Sequence, residues 1–244
     1  MNSFVRKSDL DSEMTVVRNE FERGENSPQN VLSERMASAA YNWHHYGKST
    51  IGNRSDIERV PIENLQKFYK KFYQTDNVVL IIARKFEETK ALGWVTKYFG
   101  DIPRPTRKLD ATWTEEPPQD GERFVTLRRV GDMSAIGVAY HIPAGAHEDN
   151  GALQVLARIL STPPSGRLYQ ALVETKKAAS VSANAERRHD PGLFAVDAEV
   201  PRDGSVDAAR DLLISTHDAV GGELGAENGR ARAGRNQRRV EATH

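Results

Sequence analysis

A proline-rich segment near the middle of the chain limits how this sequence can fold. Residues 101–122, DIPRPTRKLDATWTEEPPQDGE, hold four of the eleven prolines and show neither helical nor strand periodicity, which is typical of a linker. The 244 residues also exceed the usual size of a single domain. We therefore predict a first domain over 1–103, a linker over 104–121 and a second domain over 122–220. The arginine-rich remainder, 221–244, lacks apolar periodicity and is predicted to be a disordered tail.

Apolar periodicity on both sides of this linker predicts an α+β fold. In the first domain it predicts amphipathic helices and a short buried strand over the β-branched run 78–83, VVLIIA. The predicted helices of that domain cover 12–23, 28–41, 61–73 and 86–99. The second domain repeats this order in outline. Its predicted strands cover 123–129, 135–141, 180–187 and 193–199, and its predicted helices cover 148–160, 166–176 and 205–220.

Composition excludes several classes of function. The 34 basic and 34 acidic residues balance, which argues against nucleic acid or an anionic membrane as the main partner. The chain has no cysteine, so any metal must be held by histidine and carboxylate side chains. No apolar run is long enough to cross a bilayer, and residues 1–13 lack the apolar core of a signal peptide. We expect Met1 to be the start of a fragment of a longer protein.

Two acidic residues on the first helix are candidates for a functional role. Glu13 and Glu20 are seven residues apart, so a helix places them on nearly the same face, two turns apart. Apolar residues border that face, and a carboxylate that points into packed protein needs a cation, a metal or hydrogen-bond donors. The alternative is a solvated helix flank in which Arg18 and Arg23 are the partners of the two acids.

The histidines do not form a zinc motif within this chain. None of the seven occurs in His-x-x-x-His or His-x-x-Glu-His spacing, which places two imidazoles on one helix face. His44 and His45 lie among aromatic residues and predict a packed aromatic corner, and His141 ends a strand, where a hydrogen-bonded structural role is expected. Ser165 precedes a helix that it is expected to cap, with Leu168 and Leu172 directed inward.

The order of these segments resembles the pitrilysin and insulinase family (M16-type) of zinc peptidases. In that family a later helix carries two acids seven apart, and residues 13–20, EMTVVRNE, match it. Further similarities follow in the family's order over some 200 residues. They are His45-Tyr46-Gly47, Asp76-Asn77-Val78-Val79-Leu80, Tyr98-Phe99-Gly100-Asp101-Ile102-Pro103, His141-Ile142-Pro143 and Ser165-Gly166-Arg167-Leu168-Tyr169.

The resemblance implies two similar α+β domains, each a mostly antiparallel sheet covered by helices, with the first domain truncated at its N-terminus. It implies Zn²⁺ as the cofactor of the intact protein, Glu20 as a metal ligand and Glu13 as the supporting acid. The family's His-x-x-Glu-His helix is absent from this chain. The chain is therefore predicted to be a fragment of a zinc endopeptidase that neither binds zinc nor hydrolyses peptide bonds alone. The implied partners are a peptide or unfolded protein substrate and a second peptidase half.

Two other functions fit the sequence less well. A non-catalytic partner or scaffold half of a two-subunit peptidase or processing complex would not need both Glu13 and Glu20. A ligand-binding α+β module would have a closed apolar pocket within one domain, and the sequence has no motif that indicates one.

Overall fold

The computed structural model describes residues 5–227 and 239–243, and the α+β class is confirmed within them. The chain divides into two compact units. The first comprises 1–21 and 51–113, and the second comprises 22–50 and 114–244. The sequence prediction placed 22–50 in the first domain and 114–121 in the linker, whereas in the structure both belong to the second unit.

Within the described residues of the first unit, the regular secondary structure is helical, and the segments between the helices, including 78–87 and 100–113, are irregular. This unit contains most of α1 (Lys7–Glu25), then α3 (Arg54–Arg59), α4 (Ile62–Phe72) and α5 (Glu88–Phe99). Its ion pairs include Arg107, which donates to both carboxylate oxygens of Asp76 at 2.7 and 2.8 Å. Among its described residues only Ile57 and Ala91 are buried, so this unit has very little core.

The apolar run in this unit does not form the buried strand that the sequence predicts. Residues 78–83 have no regular secondary structure, and the side chains of Val79 and Ile81 are 84 % and 81 % exposed. The prediction is wrong because a β-strand needs a hydrogen-bonded neighbour. No strand occurs among the described residues of the first unit that would supply one.

The second unit is built on a five-stranded sheet. The strands are β1 (Arg123–Thr126), β2 (Met133–Ile142), β3 (Ser180–Ala185), β4 (Gly192–Pro201) and β5 (Arg239–Thr243). Their order is β1-β5-β2-β4-β3, and all neighbours are antiparallel except β1 and β5. β2 and β4 pair along their full length, from Met133 opposite Pro201 to Ile142 opposite Gly192.

The arginine-rich end is only partly described. α7 (Val206–Glu227) continues beyond the predicted end at Val220, and β5 lies within the predicted tail. These two segments therefore have regular structure where the sequence prediction expected a disordered tail. Residues 228–238 and 244, which belong to the same prediction, lie outside the described residues.

Strand alternation produces a core on each face of this sheet. One face packs against α6 (Asn150–Ser161), a π-helical segment (Tyr169–Glu174) and α7. The residues that fill this core include Ile136, Val138, Val196, Leu160, Leu168, Leu172 and Leu213. Leu168 and Leu172 are fully buried, which confirms that they are directed inward.

The opposite face of the sheet is covered by α2 (Pro28–Ala40). Ser27 caps this helix by accepting a hydrogen bond from the backbone N–H of Asn30 at 3.3 Å, with Pro28 as the first helical residue. Leu32, Met36 and Ala40 pack against alternate residues of β2 and β4. This packing explains why residues 22–50 belong to the second unit.

Gly137 permits the close contact between α2 and β2. A Cβ atom at this position would lie 2.6 Å from Met36 Sδ and 2.8 Å from Asp197 Oδ1. We expect Gly137→Ala to lower the free energy of unfolding by about 1–3 kcal/mol, since overpacking a tight core forces its neighbours to shift. Urea denaturation measures this change. Gly131→Ala is the matched control because the nearest atom to its Cβ is 3.8 Å away, and an equal loss in both variants would refute the packing argument.

Candidate functional site

The two acids predicted to support a metal lie on one long helix. α1 includes both Glu13 and Glu20, so the predicted helical spacing is present. Both side chains are exposed, α1 contains no buried residue, and Val16 between the two acids is 59 % exposed. The prediction that at least one of these carboxylates points into packed protein is therefore wrong for the described residues. The exposure of both side chains agrees with the alternative, a solvated helix flank.

The described residues do not fit a zinc ion by themselves. Catalytic zinc is held by three protein ligands in addition to water or substrate. Within 5–227 and 239–243, no group of three or more His, Asp or Glu side chains has a geometry that could hold a metal. Glu20 is a single exposed carboxylate and is far short of such a ligand set.

The predicted aromatic corner is present and is more extensive than the sequence indicated. Tyr41 is buried, and its ring lies 5.8 Å from that of Tyr46 and 5.3 Å from that of His141. The His44 ring is 4.2 Å from Tyr46, centroid to centroid. Trp43, the aromatic residue directly before His44, is 67 % exposed.

The polar atoms of this corner have well-defined partners. The Tyr41 hydroxyl donates to the carbonyl oxygen of Pro191 at 3.0 Å, and His44 Nε2 lies 3.3 Å from Asp190 Oδ2. Burial lowers the pKa of His141, although a hydrogen bond to the Ala40 carbonyl partly opposes this effect. This bond agrees with the structural role predicted for His141 at the strand end. Burial also raises the pKa of Tyr41, whose hydroxyl is therefore held still more firmly in its protonated, donating form.

Glu116 stabilises the backbone of residues 42–44, and this role is not predicted from the sequence. Its carboxylate accepts hydrogen bonds from the backbone N–H groups of Asn42, Trp43 and His44 at 2.6, 2.9 and 2.9 Å. Burial alone would raise the pKa of Glu116, but these three donors outweigh it and the pKa lies below its usual value. A glutamate beside two prolines carries no local signal of a partner some 70 residues earlier.

Comparison with known proteins identifies the family. Residues 59–224 match the model described as "Peptidase M16 inactive domain", which is more than half of the chain. The chain belongs to the peptidase M16 family. This confirms the resemblance to the pitrilysin and insulinase peptidases.

Individual M16 relatives agree with this assignment. The chain is 30 % identical over 160 residues to "Zinc protease PqqE" of Helicobacter pylori, covering 65 % of this chain and 36 % of the relative. It is 23 % identical over 241 residues to "Uncharacterized zinc protease Rv2782c" of Mycobacterium tuberculosis, covering 96 % of this chain and 55 % of that protein. The chain thus spans about half the length, or less, of these curated relatives.

A solved structure supports the fold of this M16 chain. This chain superposes on "The crystal structure of a protease from Helicobacter pylori" with a TM-score of 0.84 and 24 % identity, covering 91 % of this chain and 54 % of that one.

Within the described ranges, none of the helices combines the length and apolarity that a membrane crossing requires.

Proposed function

We propose that this chain is one part of a zinc-dependent endopeptidase and that it does not hydrolyse peptide bonds by itself. The observation that carries the proposal is the combination of M16 membership with a single candidate ligand helix. α1 places Glu13 and Glu20 on one exposed face, and the described residues contain no complete set of metal ligands. A peptidase half that is inactive alone accounts for both facts.

In this proposal Glu20 contributes one carboxylate ligand to zinc, and Glu13 is the acid that supports the site. Both assignments rest on the match of residues 13–20 to the family's two-acid helix. The remaining ligands and the general base belong to protein outside this chain. When bound, the zinc would supply a Lewis acid and an activated water. The substrate is proposed to be a peptide or unfolded protein, and the completing partner a second peptidase half.

The proposal predicts that the purified chain contains only substoichiometric zinc and does not cleave an unstructured peptide. This follows because one exposed carboxylate is far short of the three protein ligands that a catalytic zinc requires. Zinc content is measured by elemental analysis after dialysis, and cleavage by mass spectrometry of a casein digest with and without a chelator. Chelator-sensitive cleavage by the chain alone would refute the proposal.

A chain extended through its upstream coding sequence tests the assigned residues. If that sequence encodes a His-x-x-Glu-His tract, the extended protein should bind one zinc, and Glu20→Gln should abolish stoichiometric binding. Glu13→Gln should lower zinc affinity by about 10- to 100-fold, as expected for a partner outside the ligand set. Glu22→Gln is the matched control, since Glu22 is an exposed acid on the same helix. If Glu22→Gln had the same effect as Glu20→Gln, the assignment of Glu20 would be excluded.

The second candidate function is a non-catalytic partner or scaffold half. The exposure of both Glu13 and Glu20 favours it, because neither side chain is held in the orientation that a ligand needs. The upstream coding sequence separates the two functions. If it lacks a His-x-x-Glu-His tract, the scaffold function is supported and the peptidase function is not.

A further inference from the structure

The second unit contains a cavity that the peptidase proposal does not use. It has a volume of about 480 Å³ and lies beside the aromatic corner. This volume falls within the range of about 300–1,000 Å³ that is typical of small-ligand sites. The apolar part of its lining comes from the Tyr41 ring and from three prolines, Pro117, Pro118 and Pro191. Such a wall suits an aliphatic stem of a ligand, since it offers few hydrogen-bonding groups.

The polar part of the lining favours a cation over an anion. Among the described residues that line the cavity, three are acidic, Glu115, Glu116 and Asp190, and none is lysine or arginine. The Glu116 carboxylate uses three of its roughly four acceptor positions on backbone N–H groups, which leaves about one for a ligand. Asp190 Oδ2 lies 3.3 Å from His44 Nε2, and Asp190 Oδ1 lies 3.2 Å from His189 Nδ1, so the printed ion-pair partners of this carboxylate are histidines and not lysine or arginine.

The cations near this corner are engaged elsewhere. Arg123 donates from its guanidinium to the carbonyl oxygens of Ala39 and Ala40. Arg188 lies over the Tyr46 ring, 4.6 Å from its centroid, and pairs with Glu186 at 2.7 Å. Neither arginine is among the lining residues, although the charge of Arg123 acts on His141 and that of Arg188 acts on Tyr41.

His141 adds an acceptor to the same wall. One of its ring nitrogens is bonded to the carbonyl of Ala40, and burial favours the neutral imidazole. A neutral imidazole that donates through one nitrogen can accept through the other. The cavity therefore combines an aliphatic wall with acceptors from Glu116, His141 and Asp190.

We propose that this cavity binds an alkylguanidinium or alkylammonium group, with the aliphatic stem against Tyr41 and the prolines and the charged head at Glu116 and Asp190. The group has two possible sources, a basic side chain of a bound peptide or a free basic amino acid. The proposal does not depend on zinc or on the peptidase function, because all of its residues belong to the second unit.

The test titrates the full chain with Nα-acetyl-arginine amide and follows the imidazole NMR signals of His44 and His141. We expect saturable shifts of both signals. The neutral Nα-acetyl-norleucine amide should bind at least about tenfold more weakly than the arginine amide, since it cannot form the charge-assisted hydrogen bonds. Asp190→Asn should weaken arginine amide binding by about tenfold for the same reason. Asp132→Asn, a change at an acid that does not line the cavity, should leave binding unchanged.

Several results would overturn the proposal. These are equal shifts with norleucine amide or with Nα-acetyl-glutamate, the absence of any saturable shift, or equal weakening in the Asp132→Asn and Asp190→Asn variants. If Asp190→Asn does not fold, the comparison of the three ligands on the unmodified chain decides the outcome. A tetrapeptide with one arginine and free arginine distinguish the sources: tighter binding of the peptide indicates a peptide side chain, and equal binding indicates a free basic amino acid.

Discussion

Amide hydrogens over residues 78–83 are expected to exchange with solvent at nearly the rate of an unstructured peptide, whereas those shared by β2 and β4 are strongly protected. The reason is the difference in core between the two units. The five apolar side chains from Val78 to Ile82 are 45–84 % exposed, and their backbone lies in no helix or strand. β2 and β4 pair over ten residues each and have a core on both faces of the sheet. Local opening costs little where few apolar contacts and backbone hydrogen bonds must be broken.

Hydrogen exchange followed by mass spectrometry measures this difference directly. If the β2–β4 pair opens only by global unfolding, its protection factor should be on the order of 10⁴ or more, which corresponds to the lower end of ordinary domain stability. Uniform protection across the two units would contradict the prediction.

A core variant provides the control for this measurement. Leu172 is fully buried in the second unit. Leu172→Ala should lower the free energy of opening that protects the amides of β2 and β4 by about 2–5 kcal/mol. Exchange over 78–83 should not change, because those amides are already open. A parallel change in both regions would indicate that the two regions unfold as one cooperative unit.

The sequence predicted individual elements better than it predicted what covers them. The helices of the second unit and its strands β1 to β4 lie close to their predicted positions, because apolar periodicity is a local property. Residues 78–83 show the limit of this reasoning. Their β-branched composition favours an extended backbone, but burial depends on a neighbouring strand that local composition cannot specify. The assignment of α2 failed for a related reason, since its periodicity does not reveal that its apolar face packs against β2 and β4.

The candidate sites show the same distinction between local and long-range information. Seven-residue spacing correctly placed Glu13 and Glu20 on one helix, yet the exposure of both depends on what lies against α1. The aromatic corner was predicted from neighbouring residues, but His141 and Glu116 join it only through the packing of α2 and the segment 114–121 on the sheet. The acidic cavity beside this corner therefore had no signature in the sequence.

The contribution of one carboxyl group on β4 to the stability of the chain is expected to fall as the pH rises from about 4 to 7. Asp197 lies on the sheet face that α2 covers, beside Gly137, and burial raises its pKa to about 6. A hydrogen bond from Ser182 opposes this shift but does not cancel it. An acid with a raised folded-state pKa favours the folded protein while it is neutral. That contribution is complete below the unfolded-state pKa of about 3.9 and is lost as the pH rises through the folded-state value.

The size of this effect follows from the difference between the two pKa values. The folded-state pKa of about 6 and the unfolded-state pKa of about 3.9 differ by about 2, which corresponds to about 3 kcal/mol of unfolding free energy at 1.36 kcal/mol per pKa unit. Asp197→Asn removes the ionisation, so the variant should be more stable than the unmodified chain by about 2–3 kcal/mol at pH 8 and about equally stable at pH 4. Urea denaturation at a series of pH values measures both curves.

Only the difference between these curves isolates Asp197, because His141 and Glu116, both with lowered pKa values, act in the opposite direction. The lowered pKa of His141 stabilises the folded chain at high pH, and this contribution is lost as the pH falls below the ordinary histidine value. Both contributions are common to the two proteins and cancel. Asp132→Asn serves as the control, since the side chain of Asp132 is 92 % exposed and its loss should not produce a pH-dependent gap. A constant gap between the Asp197→Asn curve and the parent curve from pH 4 to 8 would show that Asp197 does not carry the predicted ionisation cost.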